Sequence, residues 1–123
     1  MPLPRGMATF YKDSRQVYRV LAWDRLEWLD HGFGTRASGH WAEGNPITMR
    51  QTHSDVCLRV DRAPSERPAG DALLSCTPGL LLAVRTADCL PILMVDPRHR
   101  AVAAVHAGWR GTAAAVAAKA VQA

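Results

Sequence analysis

The sequence predicts an α+β fold in which layered sheets are flanked by helices, and three observations support this prediction. Short aliphatic runs bounded by turn residues recur along the chain, as they do in buried β-strands. Residues 55–61 alternate between apolar and polar side chains, which is typical of a half-buried strand. An Ala-rich segment follows Thr112, which is placed to cap the start of a helix that runs towards Ala123.

The individual elements follow in chain order. The first forty residues fit either strands or helices, and residues 31–45 are rich in Gly and polar side chains, which indicates a loop. Because the later apolar runs are too short and too aliphatic for helices, we expect strands that share one sheet system. Asp96 and Pro97 open a polar turn that predicts a hairpin between the last two strands. The predicted strands lie near residues 55–60, 80–84, 90–95 and 101–106, with a further apolar run at 72–74.

Composition narrows the class of protein. The 123 residues are 48% hydrophobic, which suffices for one globular domain spanning residues 1–123. The net charge of +4 comes from basic residues scattered singly along the chain, so we expect no nucleic-acid binding. The first residues lack the apolar core of a signal peptide and no stretch approaches the roughly 20 apolar residues of a membrane span, so we expect a soluble protein that is not exported. Three widely spaced cysteines without a CxxC pair argue against disulfides, so we expect a cytoplasmic protein.

Three residues form a candidate metal site, because each lies where a predicted strand meets a loop. They are His53, Cys89 and His106. Two imidazoles and one thiolate supply three protein ligands and leave a fourth tetrahedral position open, as in catalytic zinc sites. Taken singly, each has an ordinary structural interpretation, either a hydrogen-bonded histidine or a buried inert thiol.

Five segments, in this order, resemble the YfiH/laccase-domain family, whose members are also described as multicopper polyphenol oxidases and as purine nucleoside phosphorylases. The resemblance runs almost continuously from His31 to Thr112, and TADCLP followed by HAGWRG is its most specific part. The segments are HGFGTR (31–36), RQTHSD (50–55), GDALLS (70–75), TADCLPILMVDP (86–97) and HAGWRGT (106–112).

The resemblance implies a zinc enzyme whose catalytic ligands are His53, Cys89 and His106. It implies phosphorolysis of adenosine, inosine and methylthioadenosine and deamination of adenosine, so that a purine nucleoside and phosphate are the small-molecule partners. Arg36 and Arg110 lie inside two of the motifs and are candidate phosphate-binding residues, an ion pair with an aspartate (Asp71 or Asp88) being the alternative. Family members are longer than this chain, which therefore corresponds to the amino-terminal half of the domain, with an incomplete family fold.

Two further points concern neighbouring residues. Ser54 follows the first candidate ligand where many family members have glycine, a change that touches no ligand. Cys57 and Cys76 match no metal position and are assigned to packing.

Other functions use the same residues. Copper-dependent phenol oxidation is the less favoured metal chemistry, because blue-copper centres gather Cys, His and Met in one loop, whereas Cys89 and His106 stand well apart. A metal-free hydrolase would use Cys89 as nucleophile with a histidine as base, and editing of cell-wall precursors would fit this version. An inactive, truncated fragment is the non-enzymatic alternative.

Overall fold

The computed structural model describes residues 9–42, 44–108 and 121, and these divide into two compact units, Met1–Glu43 and Gly44–Ala123. Across these ranges no helix has both the length and the apolar character needed to cross a membrane. The helix expected from Thr112 onwards lies outside the described residues except for Val121, which is helical and exposed.

The first unit contains a short antiparallel pair. Strand β1 (Phe10–Lys12) pairs with strand β2 (Tyr18–Val20), and Asp13 closes the connection by accepting hydrogen bonds from two backbone amides of the turn. Two 3₁₀ turns follow, at Leu21–Trp23 and Arg36–Ser38.

A histidine belongs to the buried part of this unit. His31 accepts a hydrogen bond from the Val20 amide at its Nε2, 2.8 Å away, and its ring lies edge-on to Trp23. Burial lowers the pKa of His31, because desolvation penalises the charged imidazolium. This histidine therefore has a structural role in the first unit.

The second unit contains a mixed four-stranded sheet in the order β3-β4-β6-β5. The strands are β3 (Cys57–Arg59), β4 (Ala72–Ser75), β5 (Leu90–Asp96) and β6 (Ala101–Ala107). Strands β3 and β4 are parallel, whereas β4 and β5 each pair antiparallel with β6. The strands expected near 55–60, 90–95 and 101–106 are thus confirmed, as is the hairpin that joins the last two.

The hairpin turn is organised by one carboxylate. Asp96 accepts hydrogen bonds from the amides of Arg98 and His99, and its second oxygen lies 2.7 Å from His99 Nδ1. These contacts lower the pKa of Asp96, the His99 side chain being the largest cause. The polar turn inferred from the sequence therefore has a specific hydrogen-bonded structure.

The prediction of a sheet strand at residues 80–84 is wrong. This segment forms one parallel bridge, between Leu82 and Ile47, and is not a member of the four-stranded sheet. Its alternate side chains instead pack against a buried cluster of Ile47, Met49 and Leu73. An aliphatic run with strand-like alternation can bury its apolar side chains by packing over a sheet as well as by pairing within it.

Two apolar clusters lie against β4. Ala72 belongs to one cluster and Leu73 to the other, because successive side chains of a strand point to opposite faces. All four residues of β4 are buried, so this strand lies at the centre of the unit. The mixed sheet agrees with the expected fold class, while the helical elements among the described residues are the two 3₁₀ turns and Val121.

Candidate metal centre

Strand direction places the chemically important side chains at one edge of the sheet. Because β3 and β4 are parallel, both begin at this edge, and β6, which is antiparallel to β4, ends there. Strand β5 begins at the same edge because it is antiparallel to β6. His53 precedes β3, Asp71 precedes β4, Cys89 precedes β5, and His106 lies near the end of β6. The topology alone therefore gathers these four residues.

The three candidate ligands lie close together. One ligand atom from each of His53, Cys89 and His106 lies within 4.8 Å of the others. The two imidazole rings meet edge to face, with centroids 5.0 Å apart. Ligand atoms of a tetrahedral zinc ion are separated by about 3.3 to 3.8 Å, given bonds of about 2.0 to 2.3 Å. Small side-chain rotations would therefore bring the three atoms into coordinating positions.

Burial changes across the cluster. His106 is 4% exposed, Cys89 is partly buried, and His53 is exposed. The cluster is thus fixed on its His106 side and accessible on its His53 side. A site that leaves one position open to an incoming molecule needs this asymmetry.

Gly108 has no side chain, which leaves room for the ligand cluster. A Cβ atom at this position would lie 2.7 Å from His53 Nδ1 and 3.3 Å from Cys89 Sγ. Leu90 pairs with Ala107, and continuing this register by one residue places Cys89 opposite Gly108. The absent side chain and the nitrogen, sulfur and nitrogen donor set both fit a metal ion such as zinc.

Asp71 supports His106 from behind. The carboxylate is fully buried, and its Oδ2 lies 2.6 Å from His106 Nδ1. The Asp71 carbonyl also accepts the His106 amide at 2.7 Å, because these residues extend the β4–β6 pairing by one position. Burial opposes ionisation, but hydrogen bonds from His106, Ser54 and Thr52 outweigh it and lower the pKa of Asp71 to about 2.

The same carboxylate holds the loop that carries His53. It accepts hydrogen bonds from the backbone amides of Thr52, His53 and Ser54, at 3.1, 3.1 and 2.8 Å. The Ser54 hydroxyl donates a further bond to Asp71 Oδ1 at 2.7 Å. Ser54 therefore touches the carboxylate behind the ligands, although it does not itself belong to the donor set.

The match to a protein-family model decides the family. The model described as multi-copper polyphenol oxidoreductase laccase matches residues 35–123, a segment that includes all three candidate ligands. The chain belongs to this family.

Relatives of this laccase-family chain are similar in sequence and in structure. A Shigella flexneri protein named purine nucleoside phosphorylase YfiH is 44% identical over 80 residues, which cover 62% of this chain and 33% of the relative. A crystal structure of a Neisseria meningitidis protein matches with a TM-score of 0.58 and 41% identity, covering 63% of this chain and 32% of that one. YfiH from Bacillus licheniformis matches with a TM-score of 0.58 and 38% identity, covering 62% and 32%. The matched segment thus spans about a third of each relative.

The arginines expected to bind phosphate are Arg36 and Arg110. Arg36 is exposed and begins a 3₁₀ turn in the first unit of the laccase-family chain, and Arg110 lies outside the described residues. Asp71, one carboxylate considered as an ion-pair partner for these arginines, accepts hydrogen bonds from His106 and from the loop at residues 52–54.

The other cysteines differ from each other. Cys57 packs against the cluster that contains Ala72 and Val105, and burial raises the pKa of its thiol. Cys76 is exposed, so its assignment to packing is wrong. It directly follows β4, where the chain leaves the buried sheet.

Asp71 belongs to the site, although its place in the sequence indicated only an ion-pair partner for an arginine. The signal that would have found it is the position of an aspartate directly before the apolar run at residues 72–74, within GDALLS. A carboxylate that enters a buried sheet needs several hydrogen-bond donors, and such donors come from a structured site.

Proposed function

We propose that the chain supplies the zinc centre of a purine nucleoside enzyme, with His53, Cys89 and His106 as its metal ligands. The observation that carries this proposal is the convergence of the three ligand atoms within 4.8 Å at one sheet edge. Membership of the laccase family and the names of relatives such as purine nucleoside phosphorylase YfiH support the substrate class. The reactions we propose are phosphorolysis of adenosine, inosine and methylthioadenosine, and deamination of adenosine.

Zinc is the metal that we propose because two imidazoles and one thiolate suit it. Multicopper oxidation needs several copper sites, whereas within the described residues one group of His, Cys, Asp and Glu side chains has metal-binding geometry. When bound, zinc supplies Lewis-acid chemistry that assists phosphate attack in phosphorolysis and water attack in deamination.

The chain's own residues shape the proposed site. Asp71 fixes the His106 ring, and Gly108 keeps the space between His53 and Cys89 free of a side chain. We propose that the arginines at positions 36 and 110 bind phosphate, since a guanidinium matches two phosphate oxygens at once.

The two reactions consume and release different small molecules. In phosphorolysis, a phosphate oxygen forms a bond to the ribose C1′ while the bond from C1′ to the purine breaks, which releases the base. In deamination, water adds at C6 of adenosine and ammonia leaves. We propose a cytoplasmic location for either reaction. The cytoplasm keeps thiols reduced, and Cys89 must be a reduced thiol to bind the metal.

Metal analysis and a nucleoside panel test the proposal. We expect one zinc ion per chain, release of the purine base only when phosphate is present, and release of ammonia from adenosine without phosphate. His53→Ala removes a ligand and should abolish zinc binding, whereas His99→Ala changes an exposed histidine of the hairpin turn and should not.

Other results would favour the alternatives. Turnover that needs Cys89 in a zinc-free chain would favour a Cys-His hydrolase, with cell-wall precursors as the next substrates to test. Zinc binding without turnover of any nucleoside would indicate an inactive fragment.

A further inference from the structure

We propose that Asp71 is the positioning residue of the metal site, setting the tautomer of His106 and the backbone conformation of His53. One buried carboxylate would then control two of the three ligands. This inference rests on the metal site of the proposed function but not on its substrate.

The two carboxylate oxygens of Asp71 bind different hydrogen-bond donors. Oδ2 accepts from His106 Nδ1 at 2.6 Å and from the His53 amide at 3.1 Å. Oδ1 accepts from the Thr52 amide, the Ser54 amide and the Ser54 hydroxyl. The carboxylate is therefore saturated, with five donors and no exposure to solvent.

The contact with His106 selects a tautomer. An ionised carboxylate accepts hydrogen bonds and cannot donate them. His106 Nδ1 must therefore carry a proton, and in the neutral ring Nε2 is left with a free lone pair. A neutral imidazole binds metal through such a nitrogen, and partners of this kind raise the basicity of the ligand.

The contacts with the loop select a backbone conformation. His53 has a φ of 59°, in the left-handed region that residues with a side chain rarely adopt. Successive amides around such a residue point towards a common centre and form a concave anion site. Asp71 supplies the anion to the amides of residues 52–54, so the unfavourable φ at His53 is compensated by the carboxylate.

Asp71→Asn tests both effects with little change in volume. The asparagine side chain has one acceptor oxygen and one NH₂ group. The Oδ1 position faces three donors and the Oδ2 position faces two, so the oxygen should occupy the former. The NH₂ group then faces His106 and forces the ring into the Nε2–H tautomer, in which Nε2 no longer binds a metal.

Zinc affinity and the tautomer of His106 are the two measurements. Competition against a chromogenic chelator should show a 10- to 100-fold loss of zinc affinity in Asp71→Asn. In the metal-free protein, ¹⁵N NMR of the imidazoles should show Nδ1–H at His106 in the original chain and Nε2–H in the variant. Asp96→Asn is the matched control, because Asp96 also accepts backbone amides and a histidine Nδ1, but in the exposed hairpin turn. It should leave zinc affinity unchanged.

Two results would overturn the inference: an Nε2–H tautomer at His106 in the original metal-free chain, or unchanged zinc affinity in a folded Asp71→Asn. If that variant fails to fold, the tautomer in the original chain decides the question, since it needs no substitution. Loss of zinc affinity in Asp71→Asn together with no nucleoside turnover by the original chain would sustain the inference and refute the proposed substrate.

Discussion

Gly108→Ala adds a single methyl group beside two candidate ligands. The new Cβ would lie 2.7 Å from His53 Nδ1, where an ordinary contact between carbon and nitrogen is about 3.4 Å. Its distance from Cys89 Sγ would be 3.3 Å, which is also tight. The structure therefore predicts that one of the two ligands must move.

The magnitude depends on which side chain gives way. Overpacking in a rigid core costs about 1 to 3 kcal/mol, but His53 is exposed and its ring can turn outwards. Such a rotation relieves the contact and removes one ligand from the cluster. We expect a small loss of folding stability and a loss of zinc affinity of about 100-fold, equivalent to about 2.7 kcal/mol.

The assay pairs zinc competition with urea unfolding of the metal-free chain. Gly79→Ala is the control, because Gly79 has a φ of 84° and open space around its Cα. An alanine there should cost about 1 kcal/mol of stability through its strained backbone and leave zinc affinity unchanged. Gly108→Ala with the zinc affinity of the original chain would refute our account of the ligand cluster.

Three further predictions concern folding. The pKa of Asp71 is lowered to about 2, so its ionised form adds about 2 kcal/mol to the free energy of unfolding. This contribution is present above about pH 4 and is lost as the pH falls to about 2. Urea unfolding should show this loss in the original chain and a smaller loss in Asp71→Asn. An equal decrease of the free energy of unfolding with pH in the two proteins would contradict the prediction. Leu73→Ala removes a side chain with 0% exposure and should cost about 2 to 5 kcal/mol in the same assay. Leu90→Ala, at 60% exposure, should cost about 0.5 kcal/mol or less, and a similar cost for both would refute the assignment of the core. His31 has a pKa lowered by burial, so the folded state binds fewer protons and stability should fall as the pH drops below about 6.5, a dependence that His31→Gln should lack in fluorescence-detected unfolding.

Strand β5 illustrates what could be predicted from the sequence. Its aliphatic run ends at Asp96, where a polar turn begins, so both the run and its end are visible in the sequence. The run at 80–84 has the same composition, but whether it joins or covers a sheet depends on backbone partners far away in the sequence. Its bridge to Ile47 could not be read from local residues.

The metal cluster shows a similar division. His53, Cys89 and His106 could be selected because each borders a strand and belongs to a motif. Asp71 and Gly108 could not be assigned, because their roles follow from strand direction and register. The register that extends to Asp71 and His106 joins residues 35 positions apart, and it becomes visible only in the folded sheet.

The β5–β6 hairpin connects its turn to the metal cluster through seven consecutive residue pairs. The turn at residues 97–100 lies at one end of this ladder, and Cys89 and Gly108 lie just beyond the other. Because side chains alternate along a strand, a shift of one residue in pairing would turn every β5 side chain to the opposite face. Inserting or deleting one residue in the exposed turn would therefore displace Cys89 relative to His106 without altering any ligand. The length of a surface turn is thus a constraint on metal binding at the far end of the sheet.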